Sequence, residues 1–369
     1  MIYLDYSATT PTNPAVLDVF TNASQSWFYN PNSNYPEAIT VKNLIDEASE
    51  KIKTYLRIPG HEVIYTSGAT EANNLAIKGV ALKYQSLGNH LIMSPFEHSS
   101  VSACFGYLQK QGFRVDIVKT LSDGTVDLED LNNLMSEETI LVSICGVASE
   151  LGIIQPFESI AKIVHQYPNA IFHSDMTQAI GKMPVKLESI DLISLSGHKI
   201  YGVKGIGALL KRDNIKLVPL LHGGKSTSKF RSGTPAYPLI ASLEKAIDLA
   251  LSALPKNEVY IRSLHQLLTE GLNMIEGVAI NSPLGSLPHI VNISIMTMSS
   301  KDSQEYLAGQ GIYVSTQTAC SSDESRSETV YRLTLSETKA RSSIRISLSH
   351  LTTKNEIESL LQAIAGLSL

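Results

Sequence analysis

The chain has 369 residues, 43% hydrophobic and 18% charged, enough for a large core and more than one compact unit. Thirty basic and thirty-five acidic side chains give a formal charge of −5 with no long single-sign run, which excludes an electrostatic nucleic-acid surface as the core function. No basic region followed by an apolar stretch opens the chain, and no window reaches the roughly eighteen apolar residues of a membrane span, so a soluble, cytoplasmic protein is expected.

Between Glu62 and Leu210, short apolar runs at 63–65, 90–93, 115–118, 140–144, 170–173 and 192–195 alternate with helical patterns. Apolar residues recurring at i, i+3 and i+4 predict crossover helices over 70–85 and 159–166. This alternation predicts an α/β fold with a mostly parallel sheet between helices. In such sheets ligands bind beyond the carboxyl ends of the strands. Five polar constellations fall there: Thr66-Ser-Gly-Ala-Thr70, Glu97-His98, Ser149-Glu-Leu-Gly152, Asp175-Met-Thr-Gln178 and His198-Lys199. They predict one shared crevice. Near Leu254-Pro255 the pattern gives way to a long helical stretch and then to short strands at 290–295 and 344–348. A large domain is therefore expected over 14–254. A smaller α+β domain is expected over 255–369, with the N-terminal tail 1–13 returning to it.

Lys199 follows the run 192–195 in the glycine-punctuated stretch Ser196-Gly-His-Lys-Ile-Tyr-Gly202. A lysine amine becomes a nucleophile when burial or a neighbouring cation lowers its pKa, and glycines let backbone approach a ligand closely. The alternative is a solvated turn lysine, as Lys204 is read. Asp175, taken alone, reads as a helix cap or a paired carboxylate. Taken with Lys199 it has a chemical meaning, because pyridoxal phosphate needs a lysine for its aldehyde and an acid beside its pyridinium nitrogen. Ser67-Gly-Ala-Thr-Glu71 offers hydroxyls and amides at a helix start to a phosphate; a capping box on Ser67 or Thr70 is the other reading.

His98 could stack on a cofactor ring and carry protons, or be structural. Arg345, in Ser342-Ser-Ile-Arg-Ile-Ser347, shares a strand face with Ser343 and Ser347; its guanidinium suits a substrate carboxylate, or it is an exposed strand arginine. The cysteines Cys104, Cys145 and Cys320 lie far apart with no C-x-x-C pair, so neither a disulfide framework nor a metal site is expected. Cys104 and Cys145 read as core. Cys320 lies in a polar stretch and reads as an exposed loop cysteine kept for its reactivity.

With these residues in view, the chain resembles the cysteine desulfurases, class V enzymes of pyridoxal-phosphate fold type I, and within them the group with a long cysteine-bearing loop. The resemblance spans nearly the whole length. It rests on Tyr3-Leu-Asp-Tyr-Ser-Ala-Thr-Thr-Pro11, the stretch 66–79, Glu97-His98, Asp175-Met-Thr-Gln178, Ser196-Gly-His-Lys-Ile-Tyr-Gly202, Arg231-Ser-Gly-Thr234, Ala319-Cys320 and Ser342-Ser-Ile-Arg345.

That resemblance implies a seven-stranded large-domain sheet and a cysteine loop at about 315–341. It implies that Lys199 holds pyridoxal 5'-phosphate, Asp175 pairs with the ring nitrogen, Gln178 bonds the phenolic oxygen and His98 stacks on the ring. Ala69, Thr70, Ser196 and His198 are implied around the phosphate, with Thr234 reaching the phosphate of a neighbouring subunit, hence a homodimer. Arg345 and Ser149 are implied at the substrate, and Cys320 as sulfur acceptor. The implied reaction turns L-cysteine into alanine, leaving a persulfide on Cys320 for a sulfur-acceptor or iron–sulfur scaffold protein, or for tRNA thiolation. Rival readings are a related lyase or aminotransferase, for example on selenocysteine, and a non-catalytic scaffold.

The chain departs from the family pattern at several places. Ser149 replaces an asparagine, Gly146 a histidine, Tyr35 a histidine and Gln317 a glycine. Ser349-His350 stands where Gly-Arg is usual.

Overall fold

The computed structural model describes residues 1–224, 226–316 and 326–367. Its main sheet has seven strands in the order His61–Thr66, Gly207–Arg212, Leu192–Ser196, Ile171–Asp175, Thr139–Ser143, His90–Met93 and Arg114–Ile117. The last five run parallel. Gly207–Arg212 is antiparallel to both its neighbours, with Ser196 opposite Gly207. The reversal follows from chain length, since the loop 197–206 is too short for a parallel crossover and can only fold straight back.

Both sheet faces are buried, so the strands read as continuous apolar runs. Along His90–Met93, Ile92 enters one core, with Val142, Phe172 and Ile193, while Leu91 enters the other, with Leu141, Ile171 and Leu209. The helix Ala69–Tyr84 packs Ala72, Leu75, Ala76 and Val80 into the second of these cores. The helices Pro14–Ser26, Pro36–Leu56 and Phe157–Val164 cover the opposite face.

Position 254–255 lies inside one helix, Tyr237–Asn273, which continues through Pro255. Its first half gives Ile240, Leu243, Ala246 and Ile247 to the large-sheet core. Its second half gives Ile261, Leu264, Leu268 and Leu272 to a separate core with Leu4, Val291, Ile346 and Leu360. That core also backs an antiparallel sheet of Ser343–Ser347, Ile290–Ile295 and Val278–Ile280. The N-terminal strand Ile2–Tyr3 pairs in parallel with Ile312–Tyr313, and Asp5 bridges to Ser347. The first residues thus lie on the small sheet, and the chain then passes Ser7, Ala8 and Thr9 across the ends of the large one. No helix among the described residues is long and apolar enough to cross a membrane.

Candidate active site

A cavity of about 520 Å³ opens at the carboxyl ends of the parallel strands. Asp175 ends the strand Ile171–Asp175, and Ser196 ends Leu192–Ser196; the 3-10 turn Gly197–Lys199 then carries His198 and Lys199 into the same wall. The strand His61–Thr66 feeds the helix Ala69–Tyr84 through Gly68, whose φ of 156° no side-chain-bearing residue adopts readily. A Cβ on Gly207 would lie 2.7 Å from the Cα of Gly68, so glycine there lets the reversed strand press against this turn.

Gly68 caps the helix without a side-chain bond, and Glu71 instead accepts the Ser67 N–H at 2.7 Å and Arg231 Nε at 2.9 Å. Neither Ser67 nor Thr70 is the capping residue. The first-turn amides, where the helix dipole is positive, have no side-chain cap at the cavity edge, where Ala69 and Thr70 lie.

Lys199 Nζ donates to the carbonyls of Ser7 at 2.5 Å and Ala8 at 2.6 Å. Burial, reinforced by the Arg345 cation, lowers its pKa to about 8, while Asp5 and Asp175 oppose the shift. Asp175 is buried and held from both sides: Asn73 Nδ2 donates to Oδ2 at 2.8 Å and the Thr177 N–H to Oδ1 at 3.0 Å. Asn73 also donates to Ser100 Oγ, which contacts His98 Nδ1 at 2.9 Å. Because His98 Nδ1 also accepts the Ser100 N–H, the neutral ring carries its proton on Nε2. Burial lowers the pKa of His98, with Lys199 and Arg345 adding to it against Asp175. His198 is pushed down to about 4 by burial and the nearby lysines, and its Nδ1 lies 3.1 Å from Thr9 Oγ1.

Gln178 lines the same cavity, its Nε2 donating to the Ser7 carbonyl at 3.0 Å. Ser149 lines it as well. Glu97 braces the wall from behind: it accepts from Ser94 Oγ and the Cys145 N–H, and burial pushes its pKa up to about 8.

Two expected site residues, Arg345 and Thr234, stand apart from this group. Arg345 is buried but not on the cavity surface; Nη2 pairs with Asp5 at 2.9 Å and Nη1 donates to the Ser149 carbonyl at 3.1 Å. Thr234 lines a separate, smaller cavity with Ser67, Gly205 and Arg231. Cys320 lies outside the described residues. Cys104 and Cys145 are buried, although Cys145 also reaches the main cavity. Lys204, read as a turn lysine, is exposed at the cavity rim. Asn73, Ser100, Ser7 and Asp5 went unassigned in the sequence. Asn73 had a signal, since it follows Thr70 by almost one helical turn and so faces the same way. The carbonyls of Ser7 and Ala8 had none, because backbone acceptors leave no side-chain trace.

Residues 2–360 match the class-V aminotransferase family. The cysteine desulfurase IscS of Dictyoglomus turgidum is 35% identical over 361 residues, 96% of this chain and 91% of that protein. The chain belongs to the cysteine desulfurase family. A solved NifS-like protein superposes on this desulfurase with a TM-score of 0.92 at 33% identity, covering 99% of this chain and 98% of the other. A solved SspA in complex with cysteine gives a TM-score of 0.83 at 32% identity, over 96% and 100% of the two chains. Enzymes of this family use pyridoxal phosphate.

Proposed function

We propose that this desulfurase binds pyridoxal 5'-phosphate at Lys199 and converts L-cysteine to alanine, passing the sulfur to Cys320 as a persulfide. The observation that carries the reading is the meeting of Lys199 and Asp175 in one cavity whose rim is an open helix N-terminus. The donor set fits the cofactor: uncapped first-turn amides for the phosphate, a fixed buried carboxylate for the ring nitrogen, and an amine with lowered pKa for the aldehyde. Ala69, Thr70, Ser196 and His198 would surround the phosphate. The neutral ring of His198 would donate its N–H to the phosphate.

When bound, the cofactor supplies an aldehyde that condenses with amines and a protonated ring that withdraws electrons. The protein does the rest. Asn73 and the Thr177 N–H fix the Asp175 carboxylate that keeps the ring protonated. Lys199, neutral in a large fraction of molecules near pH 8, moves a proton at Nζ. His98 would lie against the ring and move one at Nε2. Arg345 binds the substrate carboxylate once Asp5 shares its guanidinium, and Ser149 orients the substrate. Cys320 then takes the sulfur and alanine leaves. The relative crystallised with cysteine supports this substrate class. Thr234, outside the main cavity, suits the phosphate of a partner subunit in a homodimer. An acceptor protein would take the sulfur onward for iron–sulfur clusters or tRNA thiolation.

The test is a visible spectrum before and after L-cysteine, with alanine and sulfide quantified for the wild type and Cys320→Ala. Cofactor absorbance, alanine release, and loss of sulfide in the variant are expected. No alanine from L-cysteine would reject desulfuration, and sulfide undiminished in Cys320→Ala would remove that thiol from the mechanism.

A further inference from the structure

Lys182 is one of the most buried cations in the chain, and the reaction as derived does not use it. It is 8% exposed, and a side chain of this length and charge is almost never buried without a partner. Among the described residues its Nζ makes one hydrogen bond, to Oε1 of Gln178 four residues earlier. It does not line the main cavity. It lines a second one of about 180 Å³ behind Lys199, shared with Tyr6, Tyr201, His289 and His350. The charged groups around it are cations, Lys199 and Arg345, and with burial they hold its pKa well below the ordinary lysine value. His289 beside it is held neutral by burial and by Lys182 itself. No carboxylate among the described residues offsets this cost, so the bond to Gln178 is what the buried amine achieves.

The geometry points to Lys182 as the positioning residue that fixes which end of the Gln178 amide faces the cofactor. This rests on the reading that the main cavity holds pyridoxal phosphate. A glutamine amide has one acceptor end and two N–H donors, and flipping it exchanges them. A lysine nitrogen bonded to Oε1, with protons to give whether charged or neutral, commits the oxygen away from the cavity. Nε2 then faces inward. One of its N–H groups is spent on the Ser7 carbonyl, and the other remains for an acceptor in the cavity, where the ring's phenolic oxygen would lie. Ser7 also accepts from Lys199, so a single chain of bonds runs from Lys182 through Gln178 and Ser7 to the reacting amine.

A donor to the phenolic oxygen stabilises its anionic form and so lowers the pH at which the bound cofactor's imine loses its proton. Absorbance reads this midpoint without turnover. Lys182→Met should leave the cofactor attached to Lys199, as borohydride trapping reports, and raise the midpoint by about one unit. Gln178→Leu should raise it equally, and the double variant no further. Lys182→Gln, which lacks the charge but can still donate to Oε1, should titrate like the wild type. That rescue separates positioning from loss of a nearby cation. If Lys182→Met does not fold, Lys182→Ala, whose void opens into the second cavity, must show the same rise. A wild-type midpoint in the folded Met or Ala variant, additive shifts in the double variant, or no rescue by glutamine overturns the proposal. A wild-type protein that takes up no cofactor would instead overturn the reading of the cavity.

Discussion

Lys199 and Arg345 are the two cations that the proposed chemistry uses, and the two sheets hold them in opposite ways. On the large sheet, Lys199 stands on a turn between strands, donates among the described residues only to backbone carbonyls and faces an acid that is itself held by Asn73 and Thr177. On the small sheet, Arg345 is occupied by the Asp5 carboxylate, and its Nε has no partner among the described residues. The first site is organised before any ligand arrives, because its lysine is not neutralised by a carboxylate. The second is a closed ion pair, which on the proposed reading a substrate carboxylate would enter by competition. On the proposed reading, cofactor capture would be a property of rigid strand ends, and substrate capture a property of an exchange between two carboxylates for one guanidinium.

The contrast is sharpest at Lys199 itself. Lys199→Ala should lower desulfuration by about 10⁴-fold, the upper range for a lost proton-transfer group, measured as alanine release. Asp175→Asn keeps the shape but removes the charge, and a fall of about 10²-fold in kcat with weaker cofactor retention on dialysis is expected. On the small sheet the effect should appear in KM rather than kcat: Arg345→Lys keeps the charge but loses the fork, raising KM for L-cysteine about tenfold. An equal loss of kcat in that variant would break the comparison, since it would place Arg345 with the cofactor group. The smallest effect is in pH. A lysine with its pKa lowered to about 8 is charged below that pH and neutral above it. The rate at which apoprotein recaptures cofactor should therefore rise about fivefold from pH 7 to 8 and flatten beyond it. Stopped-flow absorbance checks this, and a rate still climbing at pH 10 would contradict the lowered pKa.

Sequence pattern exposed the first region far better than the second. Strands buried on both faces announce themselves as apolar runs, and the polar residues that follow them collect at one edge by topology alone. Asp175, His98, His198 and Lys199 could thus be grouped from spacing. The reversed strand Gly207–Arg212 was less visible, because strand direction is set by the length of the loop before it and not by the apolar pattern. Pro255 looked like a boundary, yet the helix passes through it, since packing on both sides outweighs the missing donor. The hold of Asp5 on Arg345 joins residues 340 positions apart and has no local signature. The Gln178–Lys182 pair did have one, a spacing of four, but its burial is visible only in the fold.

The central claim is that the amine of Lys199, and not that of Lys182 or Lys204, is the one that binds the aldehyde. Reconstitution with pyridoxal phosphate, reduction with borohydride and peptide mapping by mass spectrometry test it directly. A single pyridoxyl group on Lys199 is expected. An adduct on either of the other two lysines, or on none, would contradict it.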